Sequence, residues 1–593
     1  MKATTLITLA TLAFSSSIPL PAHGKPTHPN VLVILTDDQG WGDLSLNGNT
    51  NLQTPNIDSL AHEGAMFDRF YVCAVCAPTR AEFLTGRYYP RTGVRGVSTG
   101  EERLNIDETT IADTFKAAGY TTGAFGKWHN GSQHPYHPNA RGFQEYVGFT
   151  SGHWGHYFDP VLEHNGELFN AEGYITDYFT TRAIDFIKEN KDQPFFCYVP
   201  YCTPHSPMQV PDEFFDKFSE RPLEMRNREP EREQEAHLRA ALAMCENIDH
   251  NVGRLLETLQ NENLSDNTIV LFFTDNGPNG VRWNGGMKGR KGSIDEGGIR
   301  VPLLVRWPGH IKPGTDVKHI AGAIDLLPTL ADLAGIPMIS QKPLDGLSLK
   351  PLLLEKDPDW QSRPILSYRG GKKGAGPQFS VRNQKYRLDP TGALFDINAD
   401  PGQYKDIAAD HPDVTAKLTK IANKFKKEIA ADITEDDRPY SVGHSETTPL
   451  PARDGINHGG IERSNRAPND SFFTNWTSTD DKITWNIEVA EPGDYEATIY
   501  YTCADENTGA EINLTFQNET LPFTITEAHD PPLRGEESDR SDRGSESFVK
   551  DWKVHPVGTI HLNKTQGDIT LQATKIPGEA AIDIRYLMLK KVD

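Results

Sequence analysis

The chain has 593 residues, 37% hydrophobic and 24% charged, with a formal net charge of −22. That balance describes a globular protein with room for roughly two to four domains and excludes a collagen-like or disordered chain. The acidity also excludes a surface built to coat nucleic acid or another polyanion, so an anionic substrate has to be held by a local cationic pocket.

Residues 1–24 carry one lysine, an apolar core over 6–14 and a small-x-small end at Ala22 to Gly24. This reads as a secretory signal peptide, which implies an exported, periplasmic or secreted protein. No later run of about 20 apolar residues follows, so no membrane anchor is expected. Residues 31–35 (VLVIL) then form a continuous apolar run, the pattern of a parallel strand buried on both faces, and end in Thr36, Asp37, Asp38. The pattern recurs at 121–125, ending in Gly126, Lys127, Trp128, His129; at 195–199, ending near Pro204 and His205; and at 269–273, ending in Thr274, Asp275, Asn276. Helical stretches at 109–118, 177–189 and 235–259 lie between them. Strand alternating with helix predicts a doubly wound α/β sheet, with ligands bound beyond the carboxyl ends of its strands.

Farther on, residues 360–437 read as a small subdomain of a few antiparallel strands closed by a helix, and 438–480 have the Ser, Thr, Pro, Asn and Gly content of a linker. From 481 to 593 the period changes to two, as at Ile483, Trp485, Ile487 and Val489, which predicts an all-β sandwich. Its charged stretch 530–547 is expected to be a mobile loop. The six cysteines (73, 76, 197, 202, 245 and 503) are too few for a disulfide scaffold, although one bridge remains open.

The chemistry concentrates at the strand ends. Residues 73–87, CAVCAPTRAEFLTGR, place Pro78 in a first helical turn and stop the helix at Thr85 and Gly86. Cys76 therefore stands at a positive helix end, with Arg80 one turn on, where a sulfate or phosphate group is favoured. Asp37, Asp38, Asp275 and Asn276 offer only oxygen ligands, a set that suits a hard divalent cation and Ca²⁺ in particular. Lys127, His129, His205 and the glycine-interrupted run MKGRKGSIDEGGIR, with Lys288, Arg290, Lys291 and Arg300, supply positive charge. Between them His134, His137, Arg141, His153, Trp154, His156 and Tyr157 form a dense group of rings that suits stacking on a sugar.

In order along the chain, DDQG, CAPTR with TGR, GKWH, TPHSP, TDNG and KGSxxEGG resemble the motifs of the type I, formylglycine-dependent sulfatases. Cys76, Pro78, Thr79, Arg80, Thr85, Gly86 and Arg87 fill every fixed position of the family's cysteine motif. The resemblance implies an alkaline-phosphatase-like catalytic domain over 25–359 with its C-terminal subdomain over 360–437. The sandwich is similar to carbohydrate-binding modules. It also implies one Ca²⁺ held by Asp37, Asp38, residue 76, Asp275 and Asn276. Cys76 would be converted to Cα-formylglycine (3-oxoalanine) by a formylglycine-generating or sulfatase-maturating enzyme. Arg80, Lys127, His129, His205 and Lys291 match the sulfate-binding and proton-transfer positions, with His205 or Lys291 protonating the leaving oxygen and His129 acting as base. Asn130 departs from the leucine frequent after GKWH, a difference expected to touch substrate shape.

The expected activity is hydrolysis of sulfate esters on a sulfated polysaccharide or its oligosaccharides, without nucleic acid or membrane partners. A phosphonate or phosphodiester hydrolase on the same scaffold, and a non-catalytic glycan-binding protein, are the alternatives. The intact CAPTR and its charged partners weigh against the second of these.

Overall fold

The computed structural model describes residues 28–354, 360, 362–370, 376–433 and 436–592. The expected signal peptide, residues 1–24, lies outside the described residues. The first half of the chain runs through β1 (Asn30–Thr36), α1 (Pro55–His62), β2 (Ala65–Tyr71), α2 (Cys76–Thr85), α3 (Ile111–Ala117), β3 (Thr121–Lys127) and β4 (Glu145–Phe149). It continues through β5 (Val161–His164), β6 (Glu167–Asn170), α4 (Ile175–Glu189), β7 (Phe195–Pro200), α5 (Asp212–Ser219), α6 (Glu235–Asn261) and β8 (Thr268–Thr274). Strands β9 (Arg300–Arg306), β10 (Thr315–Val317) and β11 (Ala321–Gly322) complete one eleven-stranded sheet, ordered β10-β2-β9-β8-β1-β7-β3-β4-β5-β6 with β11 beside β2.

The middle of this sheet, β8-β1-β7-β3-β4, is parallel, as the continuous apolar runs predict. Alternate residues of β1 feed two separate cores. Leu32 and Ile34 pack with α1, α4, α5 and α6 on one face, whereas Val31, Val33 and Leu35 pack with α2, α3 and the helix Leu326–Ala334 on the other. Because β1 and β8 pair in register through Thr36 and Thr274, the chain emerges at Asp37 and Asp275 side by side. Strand β9 runs antiparallel to β8 and β2, which turns β2 parallel to β8 and delivers the segment leading to Cys76 to the same edge.

Four antiparallel strands between Ile365 and Asp396, closed by the helix Pro412–Ile429, form the small α+β subdomain. The all-β sandwich consists of two six-stranded sheets around one core that includes Trp476, Trp485, Tyr495 and Leu587. Residues 438–480 are not a linker. Tyr440–Val442 and Ile456–His458 join one sheet, while Thr447–Pro451, Glu462–Arg463 and Phe473–Thr474 join the other. Isolated apolar residues such as Leu450, Phe473 and Trp476 anchor this polar segment in the core, a spacing too irregular to read as strand.

Residues 530–547 lie against the α/β core instead of ranging free. Arg543 donates to Gly155 O at 2.8 Å, Gln209 donates to Gly535 O at 2.8 Å, and Arg540 N donates to Met208 O at 2.9 Å. The sandwich docks further through Arg453, buried against Glu102 at 3.1 Å, and through Asp470, which accepts from Gly155 N at 2.6 Å. All six cysteines are unbridged and buried. Among the described residues no helix is long and apolar enough to cross a membrane.

Candidate active site

The crevice is built at the carboxyl edge of the parallel strands. Helix α2 begins at Cys76 after an extended Val75, has no side-chain cap at its start, and ends at Gly86 in the left-handed conformation, whose N–H closes on Glu82 O. Thr79 ties this first turn to β8: its hydroxyl accepts from Cys73 N at 2.9 Å and donates to Asp275 O at 2.6 Å. Arg80, fully buried, donates to Lys127 O at 2.7 Å and pairs with Asp275 at 2.9 Å. The same contacts therefore lock the helix, β3 and β8 together and aim charged groups at one point.

Ligand-type atoms of Asp37, Cys76 and Asp275 lie within 4.8 Å of one another. Lys127 Nζ stands 2.5 Å from Asp37, and Lys291 Nζ stands 2.8 Å from Asp38. Asp38 holds a left-handed backbone at φ 68°, fixed by Arg282, which donates to Asp38 O at 2.9 Å and is itself held by Asp43 at 2.7 Å. Asn276 donates to Asp38 Oδ1 at 2.8 Å. Two acceptors are left over, because Asp37 Oδ1 and Asn276 Oδ1 are buried without a hydrogen-bond partner.

Those orphaned oxygens fit a bound cation, since a buried acceptor without a donor costs about 1–3 kcal/mol. The electrostatics agree. Burial, reinforced by the charge of Asp37, pushes Asp275 up to about 7 despite Arg80. Burial also acts to raise Asp37, but Lys127, with His205, Arg80 and Lys291, holds its carboxyl well below the usual range. Three carboxylates in one cleft repel unless a cation joins them, and an all-oxygen set is the chemistry of Ca²⁺. Burial raises the Cys76 thiol, against the pull of Lys127 and Lys291. An unmodified thiol here is a protonated, weak nucleophile, which fits conversion of this residue better than thiolate chemistry.

His129 also has a left-handed backbone, at φ 66°. Its Nε2 lies 2.8 Å from Val97 O, so the proton resides on Nε2 and Nδ1 is left as a buried acceptor without a partner. Burial and then the charge of Lys127 hold this imidazole well below its ordinary value. His205 Nδ1 donates to Ser206 O at 2.7 Å, which turns Nε2 toward Asp38, 3.7 Å away.

The structure thus gathers Asp37, Asp38, Cys76, Arg80, Lys127, His129, His205, Asp275, Asn276 and Lys291 around one crevice. Other expected residues lie elsewhere. Arg300 pairs with Asp68 at 2.5 Å, and Lys288 faces Asp295 at 3.7 Å. Asn130 is buried and donates to Ala77 O at 3.2 Å, so it holds the first turn of α2 and does not shape a substrate surface. Most of the ring group is packing: Trp154 stacks on Phe149, Tyr157 donates to His205 O at 3.1 Å, His137 faces Glu163, and Arg141 donates to Glu108 O. Only His153 reaches the crevice, with its ring 5.8 Å from that of His205.

One residue at the crevice has no sequence motif. Glu546, carried by the sandwich, places a carboxylate oxygen 3.1 Å from His153 Nδ1. It forms with His153 and His205 a second group whose ligand-type atoms lie within 4.8 Å of one another. Burial alone would raise this carboxyl, but His153, His205 and Lys291 hold it below the usual range.

The family profile described as Sulfatase matches residues 29–336, and that described as N-sulphoglucosamine sulphohydrolase, C-terminal, matches residues 290–433. The N-acetylgalactosamine-6-sulfatase of Mus musculus is 35% identical over 392 residues, which cover 60% of this chain and 71% of the mouse protein. Arylsulfatase A of Homo sapiens is 33% identical over 436 residues, 66% of this chain and 82% of its own. The crystal structure of Ps i-CgsB superposes with a TM-score of 0.61 at 32% identity, covering 67% of this chain and 93% of that one. Ps i-CgsB has also been solved in complex with k-i-k-neocarrahexaose.

Proposed function

The chain belongs to the sulfatase family and is a sulfuric ester hydrolase, and from that premise we propose that it is exported, binds Ca²⁺ and removes sulfate from a sulfated polysaccharide or its oligosaccharides through a formylglycine made from Cys76. The observation that carries the reading is the meeting of Asp37, Cys76 and Asp275 within 4.8 Å, under Lys127 and Arg80. The carbohydrate reading draws on relatives that are named for an N-acetylgalactosamine 6-sulfate ester or crystallised with a neocarrahexaose.

Asp37, Asp38, residue 76, Asp275 and Asn276 would hold the Ca²⁺, which supplies Lewis-acid stabilisation of a sulfate oxygen. Formylglycine at position 76 would supply, as its hydrate, a hydroxyl nucleophile at the start of α2. Lys127 and Lys291 stand beside Asp37 and Asp38, where their ammonium groups bind the sulfate oxygens and favour charge developing in the transition state. Arg80 does not reach outward; its two hydrogen bonds orient Asp275 and the Lys127 backbone.

His205 Nε2 faces the crevice and, once protonated, can give its proton to the leaving sugar oxygen. His129, neutral and with Nδ1 free, would act in the second step: it can take the proton of the remaining hydroxyl of the sulfated residue-76 hydrate, so that the C–O bond to sulfate breaks, sulfate leaves with that electron pair and the aldehyde is restored.

The test is release of free sulfate from a panel of sulfated oligosaccharides, run beside an aryl sulfate and a phosphodiester. Sulfate from at least one glycan is the expected result. Turnover confined to aryl sulfates or phosphoesters would overturn the substrate assignment.

A further inference from the structure

A cleft of about 600 Å³ opens beside the crevice. One wall is the segment Met287–Ser293 that delivers Lys291, and the other holds Arg228, Arg232, Arg369 and Tyr404. Lys288, Arg290 and Lys291 add three more cations, while Glu229 and Asp295 are the cleft's carboxylates. In a chain of net charge −22 this is a concentrated reversal of sign.

The carboxylates do not cancel it. Glu229 is taken by Arg232, and Asp295 is shared with Arg387 at 3.2 Å and Lys288 at 3.7 Å. Among the described residues Arg228, Arg290 and Arg369 have no carboxylate partner: Arg228 donates to Gly402 O, Arg290 donates to Asn279 O, and the Arg369 guanidinium makes no hydrogen bond, its backbone alone pairing with Gln378. A second observation points the same way. Tyr404 is 70% exposed, and the Arg228 guanidinium stacks 4.1 Å from the centre of its ring. One ring face is thus fixed by a cation while much of the ring stays in solvent, an arrangement suited to packing against a sugar.

We propose that this cleft is a second carbohydrate subsite, which holds an anionic substituent, sulfate or carboxylate, on a sugar next to the one being desulfated. Tyr404 supports that sugar, and Arg228, Arg290 and Arg369 bind its anion. Lys291 lines the cleft and also pairs with Asp38 in the crevice, so the subsite and the ester position adjoin. Guanidinium forks suit planar two-point contact with sulfate or carboxylate oxygens better than ammonium groups do. The proposal rests on the glycan sulfatase reading above.

The experiment compares kcat/KM on N-acetylgalactosamine 6-sulfate with kcat/KM on sulfated oligosaccharides from carrageenan and from chondroitin sulfate. It uses the full chain, the double variant Arg290→Ala/Arg369→Ala, and Tyr404→Ala, each checked for an unchanged unfolding temperature. The double variant is expected to lower the oligosaccharide-to-monosaccharide ratio by about tenfold or more, mainly through KM, and to flatten the salt dependence of oligosaccharide turnover. Carrageenan fragments carry only sulfate whereas chondroitin fragments also carry carboxylate, so the more affected substrate identifies the anion. Charge reversal by Arg369→Glu should deepen the loss. An unchanged ratio in all variants, with wild type active on oligosaccharides, overturns the subsite alone. Wild type inactive on every saccharide overturns the functional reading and the subsite together.

Discussion

A carboxylate oxygen of Glu546, on the sandwich, stands 3.1 Å from Nδ1 of His153, on the α/β core, and the His153 ring lies 5.8 Å from that of His205. The appended domain therefore supplies part of the crevice wall, and Arg543 fastens its loop to Gly155. Glu546→Ala is expected to lower kcat/KM by about tenfold, the cost of one charge-assisted contact, with little change in unfolding temperature. A double-mutant cycle with His153→Ala checks the pairing, because coupled kinetic losses mark direct contact and additive ones contradict it.

Calcium removal is the second case. Asp37 Oδ1 and Asn276 Oδ1 have no other partner, so chelation should abolish turnover and lower the unfolding temperature, and added Ca²⁺ should restore both. In Asp275→Ala protein, Ca²⁺ should restore neither. Thoroughly demetallated protein with full activity would contradict the metal assignment.

The pH dependence of the metal-free protein gives a third. Asp275 is raised from 3.8 to about 7, first by burial and then by Asp37. A carboxyl raised in the folded state contributes stability that is fully present below pH 3.8 and is lost as pH rises through about 7. Metal-free wild type should therefore lose stability relative to metal-free Asp275→Asn across that window, and saturating Ca²⁺, which competes with the proton, should reverse the trend. Thermal unfolding at several pH values measures the difference.

The two imidazoles should fail differently. His205→Ala should hurt a sugar sulfate more than an activated aryl sulfate, whose leaving group needs no proton, by about 10²-fold or more. His129→Ala should instead permit a first burst and then stall turnover. Pre-steady-state release of aryl alcohol separates the cases, and equal losses on both substrates would refute the division of labour.

The parallel core was legible because runs such as VLVIL and IVLFF are buried on both faces and end in the residues that form the crevice. The first and last turns of α2 were legible too, through Pro78 and Gly86. Less could be read where a role depends on distant packing. Asp43 and Arg282 fix Asp38 from two separate loops, and neither carries a local pattern. Glu546 sits in a polar stretch that resembles a mobile loop, and only the docking of Arg540 and Arg543 against residues more than three hundred positions earlier brings it to His153. The ring group at 134–157 misled in the opposite sense, because Trp154, stacked on Phe149, and Tyr157 are buried in the core instead of facing the crevice. Residues 438–480 misled by composition, since strand pairing with Lys482–Val489 and Asp583–Lys591 overrides their turn-forming content.

The central claim is that Cys76 is the precursor of the nucleophile, and the mass of the peptide spanning residue 76 tests it most directly. The peptide should come from active protein produced in the native host, where the maturation enzyme is present. The account predicts the aldehyde or its hydrate at position 76, in proportion to specific activity. An unmodified thiol throughout fully active material would contradict it.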